Sequence, residues 1–525
     1  MSVMLLILAA AALAMGVAHW LKLPRVPLLV LSGIGLSALG LVSNGALFQD
    51  ALILGLAFLV FSAGAEMNPG RVGGQQKAAV SVGLGQFLAF VLIGLGFTRL
   101  LGFDWLTALY VALALASSST LVVIRLLKRR QQLFEPFGRL VVGVLLLQDG
   151  LIILAIAALS GIGGGATAVL VSVNGTLGLM LLAYLAQRWV TPWLLLRFGL
   201  DEEEKLLVAL AGLFFFMGMA ALIQAPIVIG AFLAGVALSS FPVSGILRGQ
   251  LASLTDFFLA VFFVTLGALL TLPTWQELLL ALTLAAVVVA LTPVLVSLLA
   301  RGAGVSTRSA VESGFLLAQT SEFSLVVALI GVQQGHISEG LLSVLALTTV
   351  LTMMATPLLA VDQVTIRLIH WLARRQQYTM QALPENHILL LGCGERGRPL
   401  LKWLLAQGET VVVVDDDAAV VEHVRRSGVM AVHGDAASPR VLEAAGASQA
   451  RVIVSTIKRL ANSADFTSYM SYKPVLITVF EPLVARRIER MGGKVVLESY
   501  AAADEFLAWF ASRAELATEA QSGTP

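Results

Sequence analysis

The sequence predicts an α-helical polytopic membrane protein of about thirteen transmembrane helices, followed by a cytoplasmic α/β Rossmann-like domain. Three observations carry this. The 525 residues are 58% hydrophobic and only 13% charged, and runs of the roughly 20 apolar residues that a span needs fill the chain to about residue 360. Between those apolar runs the Lys and Arg residues fall almost wholly in every second loop. From about residue 386 short β-branched runs alternate with helical stretches, the pattern of a parallel α/β sheet.

In order, the spans lie near residues 4–20, 26–43, 50–66, 78–99, 106–127, 139–161, 166–187, 206–223, 226–240, 255–271, 276–298, 309–332 and 339–360. No basic residue precedes the first apolar run, and Lys22 and Arg25 follow it. A cleaved signal peptide has the opposite order, so the first span is expected to be retained. Pro226 and Pro242 bracket the short ninth span. Loops after odd-numbered spans hold Lys22 and Arg25, Arg71 and Lys77, Lys128 to Arg130, Arg188 and Arg197, Arg248, Arg301 and Arg308, and Arg374 and Arg375. Loops after even-numbered spans hold only Arg99. The positive-inside rule then puts the N-terminus outside and the C-terminus in the cytoplasm.

The domains follow: a transmembrane part over 1–365, a basic amphipathic linker over 366–385, an α/β domain over 386–512, and a tail over 513–525 whose composition reads as disordered. In the third part HILLLG, ETVVVVDDD, VMAVHGD, ARVIVST and KPVLITVFEP are the strand runs. The single cysteine, Cys393, cannot form an internal disulfide, the six scattered histidines suggest no metal cluster, and a net charge of +2 gives no footing for nucleic acid.

Polar residues inside the spans carry the chemistry. Asp149, with Gln148 beside it, interrupts LLLQDGLIIL in the sixth span. A carboxylate in hydrocarbon is costly, and an intramembrane acid is a functional hypothesis by default. Shut away from water, such a group is driven to take up a proton or a cation. Ser117, Ser118, Ser119 and Thr120 form a hydroxyl run in the fifth span, and Gln319, Thr320, Ser321 and Glu322 a second polar run in the twelfth. Hydroxyl runs often only back-bond or glue helices. Two of them, each mid-span and seven spans apart, fit the broken helices of an inverted repeat, where half-helix ends and unwound carbonyls coordinate a cation.

With these residues in view, the membrane part resembles the monovalent cation–proton antiporter-2 family, including the Kef-type potassium efflux systems. The matching stretches are LPRVP (23–27), the GAE of Gly64–Glu66, SSST (117–120), LLLQD (145–149), GAFLAG (230–235), FFVTLG (262–267) and SEF (321–323). The resemblance implies thirteen spans, an inverted repeat and Asp149 as the acid that binds a monovalent cation and a proton in turn. Ser117 to Thr120 and Ser321–Glu322 would form the crossing broken helices. Gln148 occupies the place where electrogenic relatives carry a second Asp, which implies one-for-one exchange. Two features depart from the family. The acidic loop before the tenth span is reduced to SGILRGQLASLTD, with Asp256 alone, and the eleventh span has no internal Lys or Arg.

The run HILLLGCGERG contains Gly392, Gly394 and Gly397, a GxGxxG between an apolar strand and a helix, and Asp415 ends the next strand. In that context the glycines admit phosphate to the backbone and the acid faces a ribose. With GDAASPRVLEAAGA following, this part resembles the TrkA-N (RCK) regulatory domain. The resemblance implies a regulatory adenine nucleotide, NAD(H) or AMP or another, on Gly392, Gly394, Glu395, Arg396, Gly397, Asp415, Asp416, Asp435 and Ala436. It also implies a homodimer in a bacterial inner membrane, embedded in lipid. Glu395 stands where these domains usually have Arg.

Three classes compete: an antiporter, a channel gated by the same domain, and a membrane-bound nicotinamide oxidoreductase. A potassium filter needs a TVGYG-like carbonyl run, which the chain lacks. A dehydrogenase needs a substrate domain, for which AADEFLAWFASRAEL leaves no room. The expectation is a transporter and not an enzyme.

Overall fold

The computed structural model describes residues 2–21, 25–40, 46–67, 76–129, 132–133, 136–198, 200–239, 244–270, 273–305, 307–359, 384–394, 397–436, 438–457, 474–479, 482–490 and 492–497. Glu395, Arg396, nearly all of the expected linker and the whole expected tail lie outside these residues. The chain divides into two compact units, a helical one over 1–303 and 309–368 and a second that takes in 304–308 and 369–525.

The helical unit runs α1 (Ser2–Leu21), α2 (Arg25–Ala38), α3 (Ala46–Glu66), α4 (Gln76–Leu100), α5 (Trp105–Ala116), α6 (Thr120–Arg129), α7 (Pro136–Gly161) and α8 (Gly165–Leu185). It continues with α9 (Thr191–Arg197), α10 (Glu202–Leu222), α11 (Ile227–Leu238), α12 (Ser244–Leu269), α13 (Trp275–Gly302), α14 (Thr307–Leu316), α15 (Glu322–Gln333) and α16 (Glu339–Leu359). The pairs α5/α6 and α14/α15 are single rods broken in the middle, and a π-helical turn, Ala186–Val190, makes one rod of α8 and α9. Sixteen helices with three such joins make thirteen rods among the described residues. Among the described residues seven stretches are long and apolar enough to cross a membrane, and five further apolar helices are shorter.

Two boundaries differ from the sequence reading. Arg188 and Arg197 lie on continuing helix rather than in a loop; Pro192 directly follows the π turn, the kind of irregularity at which a continuous helix takes up a proline. The tenth span starts as helix at Ser244, eleven residues before the apolar run, because nothing after Pro242 interrupts helix formation until Leu269.

The rods pack in two groups. In one, α3 packs on α11 and α12, and α12 on α2. Glycines set these contacts. A Cβ on Gly33 would collide with the Val264 carbonyl and one on Gly267 with the Val30 carbonyl. Gly64 meets Phe232 and Gly235 meets Phe61 in the same reciprocal way. In the other group α4 packs on α5, α7 and α13, and α15 on α5 and α16. Charged side chains strap α6 to the first group: Arg125 to Asp256 of α12 at 2.6 Å, and Lys128 to Glu66 at the end of α3 at 3.0 Å. Asp256 also takes Arg25 of α2 at 3.3 Å.

The second unit holds a parallel six-stranded sheet of order β3-β2-β1-β4-β5-β6, the doubly wound dinucleotide-binding order. Its strands are β1 (Ile388–Leu391), β2 (Val411–Asp415), β3 (Met430–His433), β4 (Val452–Ser455), β5 (Val475–Val479) and β6 (Lys494–Leu497). Helices α17 (Gly397–Ala406), α18 (Ala418–Arg426), α19 (Pro439–Ala444) and α20 (Pro482–Arg490) alternate with them. β1 and β2 are buried along their whole length, as central parallel strands require.

Candidate functional site

The two polar runs are where the helices break. α5 stops at Ala116, Ser117 is extended (φ −112°, ψ 147°), and α6 restarts at Thr120. α14 stops at Leu316, Ser321 is extended (φ −99°, ψ 164°), and α15 restarts at Glu322. These are the fifth and twelfth rods, of opposite parity, so they run through the bundle in opposite senses, as an inverted repeat demands.

Unwound backbone away from water needs partners for every N–H and C=O, and the two segments supply them to each other. The Ser118 hydroxyl donates to the Leu317 carbonyl at 2.8 Å, and the Ser324 hydroxyl donates back to the Ala114 carbonyl. The Gln319 Nε2 donates to the Ser119 carbonyl at 3.5 Å. The Ser119 hydroxyl donates to Glu322 Oε1 at 2.6 Å. From α7, Gln148 Oε1 accepts the Ser118 N–H at 3.2 Å, and Asp149 Oδ2 accepts the Thr120 hydroxyl at 2.7 Å.

All eight candidate residues of the membrane part therefore meet at one crossing. Gln148 and Asp149 are fully buried, and Glu322 is 5% exposed. Each half-helix N-terminus carries positive partial charge and has an acid beside it: Asp149 bonds the first residue of α6, and Glu322 is the first residue of α15. Glu322 is held on both oxygens, by Ser119 and by Ser321 at 3.4 Å. Asp149 is held on one. Among the described residues eight buried side-chain polar atoms lack a partner, and four of them belong here: Asp149 Oδ1, Ser117 Oγ, Gln148 Nε2 and Gln319 Oε1.

A row of threonines on α16 also belongs to the site. Thr352 Oγ1 accepts the Thr320 N–H at 3.2 Å, Thr349 bonds the Thr320 hydroxyl at 3.0 Å, and the Thr356 hydroxyl donates to the Ala318 carbonyl at 3.2 Å. Their spacing on one helix face was the available signal. Glu66 stands apart, at the end of α3 on Lys128.

In the second unit β1 runs into the glycine turn. Gly392 has φ +85°, and a Cβ there would strike the Thr456 hydroxyl; one on Gly397 would strike the Gly392 carbonyl. Gly394 is different, because a Cβ there would meet nothing within 4 Å. The turn thus leaves open space over its middle glycine, beside the first turn of α17. Asp415, at the end of β2, accepts the Cys393 N–H at 2.6 Å and the Asp417 N–H at 2.9 Å. Burial lifts its carboxyl above the usual aspartate range, and these two amides pull it back down. Burial also pushes the Cys393 thiol up, and the Asp415 charge adds to that. Ala436 is buried; Asp435 and Asp416 lie in the turns after β3 and β2.

A family profile described as "Sodium/hydrogen exchanger, transmembrane" matches residues 5–361, and one described as "TrkA-N domain" matches residues 388–492. The "Putative cation/proton antiporter YbaL" of Escherichia coli (strain K12) is 26% identical over 80% of this chain and 79% of its own. The "Glutathione-regulated potassium-efflux system protein KefC" of Enterobacter sp. (strain 638) is 28% identical over 86% of this chain and 74% of its own. Among solved structures, the sodium proton antiporter MjNhaP1 from Methanocaldococcus jannaschii superposes with a TM-score of 0.50 at 18% identity, covering 70% of this chain and all of its own.

Proposed function

The chain belongs to the sodium/hydrogen exchanger family, and from that premise we propose that it exchanges one monovalent cation for one proton at Asp149. The observation that carries this is the state of that carboxylate: fully buried, with Oδ2 fixed by Thr120 and Oδ1 left without a partner. A buried acceptor with no donor costs about 1–3 kcal/mol, and either a proton or a cation removes that cost. Glu322, bonded on both oxygens by hydroxyls, serves as fixed countercharge to the α15 terminus. Asp149 is the acid that is free to trade. Ser117 Oγ offers a further oxygen to the cation. With Gln148 in place of a second acid, each cycle moves one charge each way.

The N-terminus lies outside and the C-terminus in the cytoplasm, on the loop charges. Rocking of the α4–α7 and α13–α16 group against the glycine-packed group gives alternating access. The α/β domain regulates transport by binding an adenine nucleotide, probed first as NAD(H) and AMP. Gly392, Gly394 and Gly397 would receive its phosphates at the start of α17, and Asp415 its ribose. Glu395, Arg396, Asp416, Asp435 and Ala436 complete that surface. The assembly is a homodimer.

The test is transport in proteoliposomes loaded with a pH dye, under imposed potassium, sodium or lithium gradients. Wild type should change internal pH, and Asp149→Asn should fold normally and not do so. Normal exchange by Asp149→Asn would overturn the assignment. Cation flux without proton movement would favour a gated channel.

A further inference from the structure

We infer that Gln319 ligates the cation through Oε1, and that Gln148, the neighbour of the exchanging acid, does not. The inference rests on the exchange reading and adds to it which amide selects the ion. Both side chains are buried, at 1% and 0% exposed. Each has one atom bonded to backbone and one without a partner. The backbone partners settle how each amide is turned, because each can play only one role. The Ser118 N–H can only donate, so the Gln148 atom facing it at 3.2 Å is the oxygen. That leaves Gln148 presenting Nε2, a donor that repels a cation. The Ser119 carbonyl can only accept, so the Gln319 atom facing it at 3.5 Å is the nitrogen. That leaves Gln319 presenting Oε1, an acceptor.

Position agrees with orientation. Gln148 and Asp149 are consecutive on α7, so their side chains leave the helix roughly 100° apart. Gln319 lies on the second unwound segment and reaches Ser119, one residue from the Thr120 that holds Asp149. A buried amide oxygen with no protein partner is costly, and a bound positive charge relieves that cost. Gln148 is then a positioning residue, which pins the first unwound segment through the Ser118 amide.

The experiment compares Gln319→Met, Gln319→Asn and Gln148→Met, with wild type and Asp149→Asn beside them, in the same proteoliposome assay. Each variant is first checked for an unchanged elution profile in detergent. Gln319→Met should raise the apparent KM for the cation about tenfold, since contacts to charged groups are worth that much. Gln319→Asn, which keeps both the amide oxygen and the amide N–H, should recover part of it. Gln148→Met should lower the maximal rate and leave KM within about twofold. Cation-dependent thermal stabilisation of the purified protein, using potassium, rubidium and sodium chloride, reads the same affinity without transport and should drop for Gln319→Met and Asp149→Asn but not for Gln148→Met. A wild-type KM and stabilisation in Gln319→Met, or the larger KM rise in Gln148→Met, overturns the inference and leaves the Asp149 reading standing if Asp149→Asn is inactive. Normal exchange by Asp149→Asn overturns both.

Discussion

At the level of single residues, hydroxyls hold the crossing together. Ser118 does so twice, through its N–H on Gln148 and its Oγ on Leu317. Ser118→Ala should cost about 1–3 kcal/mol by orphaning the Leu317 carbonyl. Ser118→Thr should recover most of that, and the thermal midpoint in detergent reads both. Asp415 gives a pH prediction. Its raised carboxyl must be ionised to accept a ribose hydroxyl in full. Nucleotide affinity should therefore be highest at alkaline and neutral pH and fall as pH drops through a value above that of an ordinary aspartate. Titration of the purified protein with a fluorescent adenine nucleotide should show this loss, and Asp415→Asn should flatten it. Asp149 was legible in the sequence because a lone acid in LLLQDGLIIL has no cheap explanation. Thr349, Thr352 and Thr356 were not, because a helical threonine ordinarily bonds its own preceding turn. Thr349 and Thr356 do that too, at 2.9 and 3.0 Å, while serving the second segment.

Among the elements, the broken rods were readable and the glycine contacts were not. A run such as SSST or QTSE inside an apolar span is a local conflict, and conflicts of that kind mark breaks. The glycines of GAFLAG and FFVTLG served only as points of resemblance. Their role is visible once α11 lies on α3 and α12 on α2, with Gly235 against Phe61 and Gly267 against Val30. Nothing local distinguishes a glycine that touches a neighbouring backbone from one that faces lipid. Gly267→Val should force α12 off α2, with a loss of about 1–3 kcal/mol, seen as a lower thermal midpoint. Gly96→Ala, where a Cβ would meet nothing, should be neutral or slightly stabilising. The π turn after Leu185 escaped because Arg188 and Pro192 together imitate a loop.

For the whole molecule, loop charges and apolar runs gave the thirteen rods and the strand–helix alternation gave the sheet. The meeting of α5/α6 with α14/α15, about two hundred residues away, was expected from the family resemblance and the seven-span spacing of the two polar runs. No local rule reports contacts at that separation. The charged straps from α6 carry one more consequence. Arg125, Lys128 and Asp256 are nearly half exposed, so dissolved ions screen them over a Debye length of about 8 Å at physiological strength. The solute this protein handles is itself an electrolyte. A rise in salt should slacken the fastening between the two helix groups, so that the load to be moved also eases the motion that moves it. At a fixed cation gradient, adding choline chloride to both sides should speed wild-type exchange and have less effect on Asp256→Asn, in which the 2.6 Å pairing is already gone. Equal responses of the two proteins would mean that the straps bear no part of the barrier.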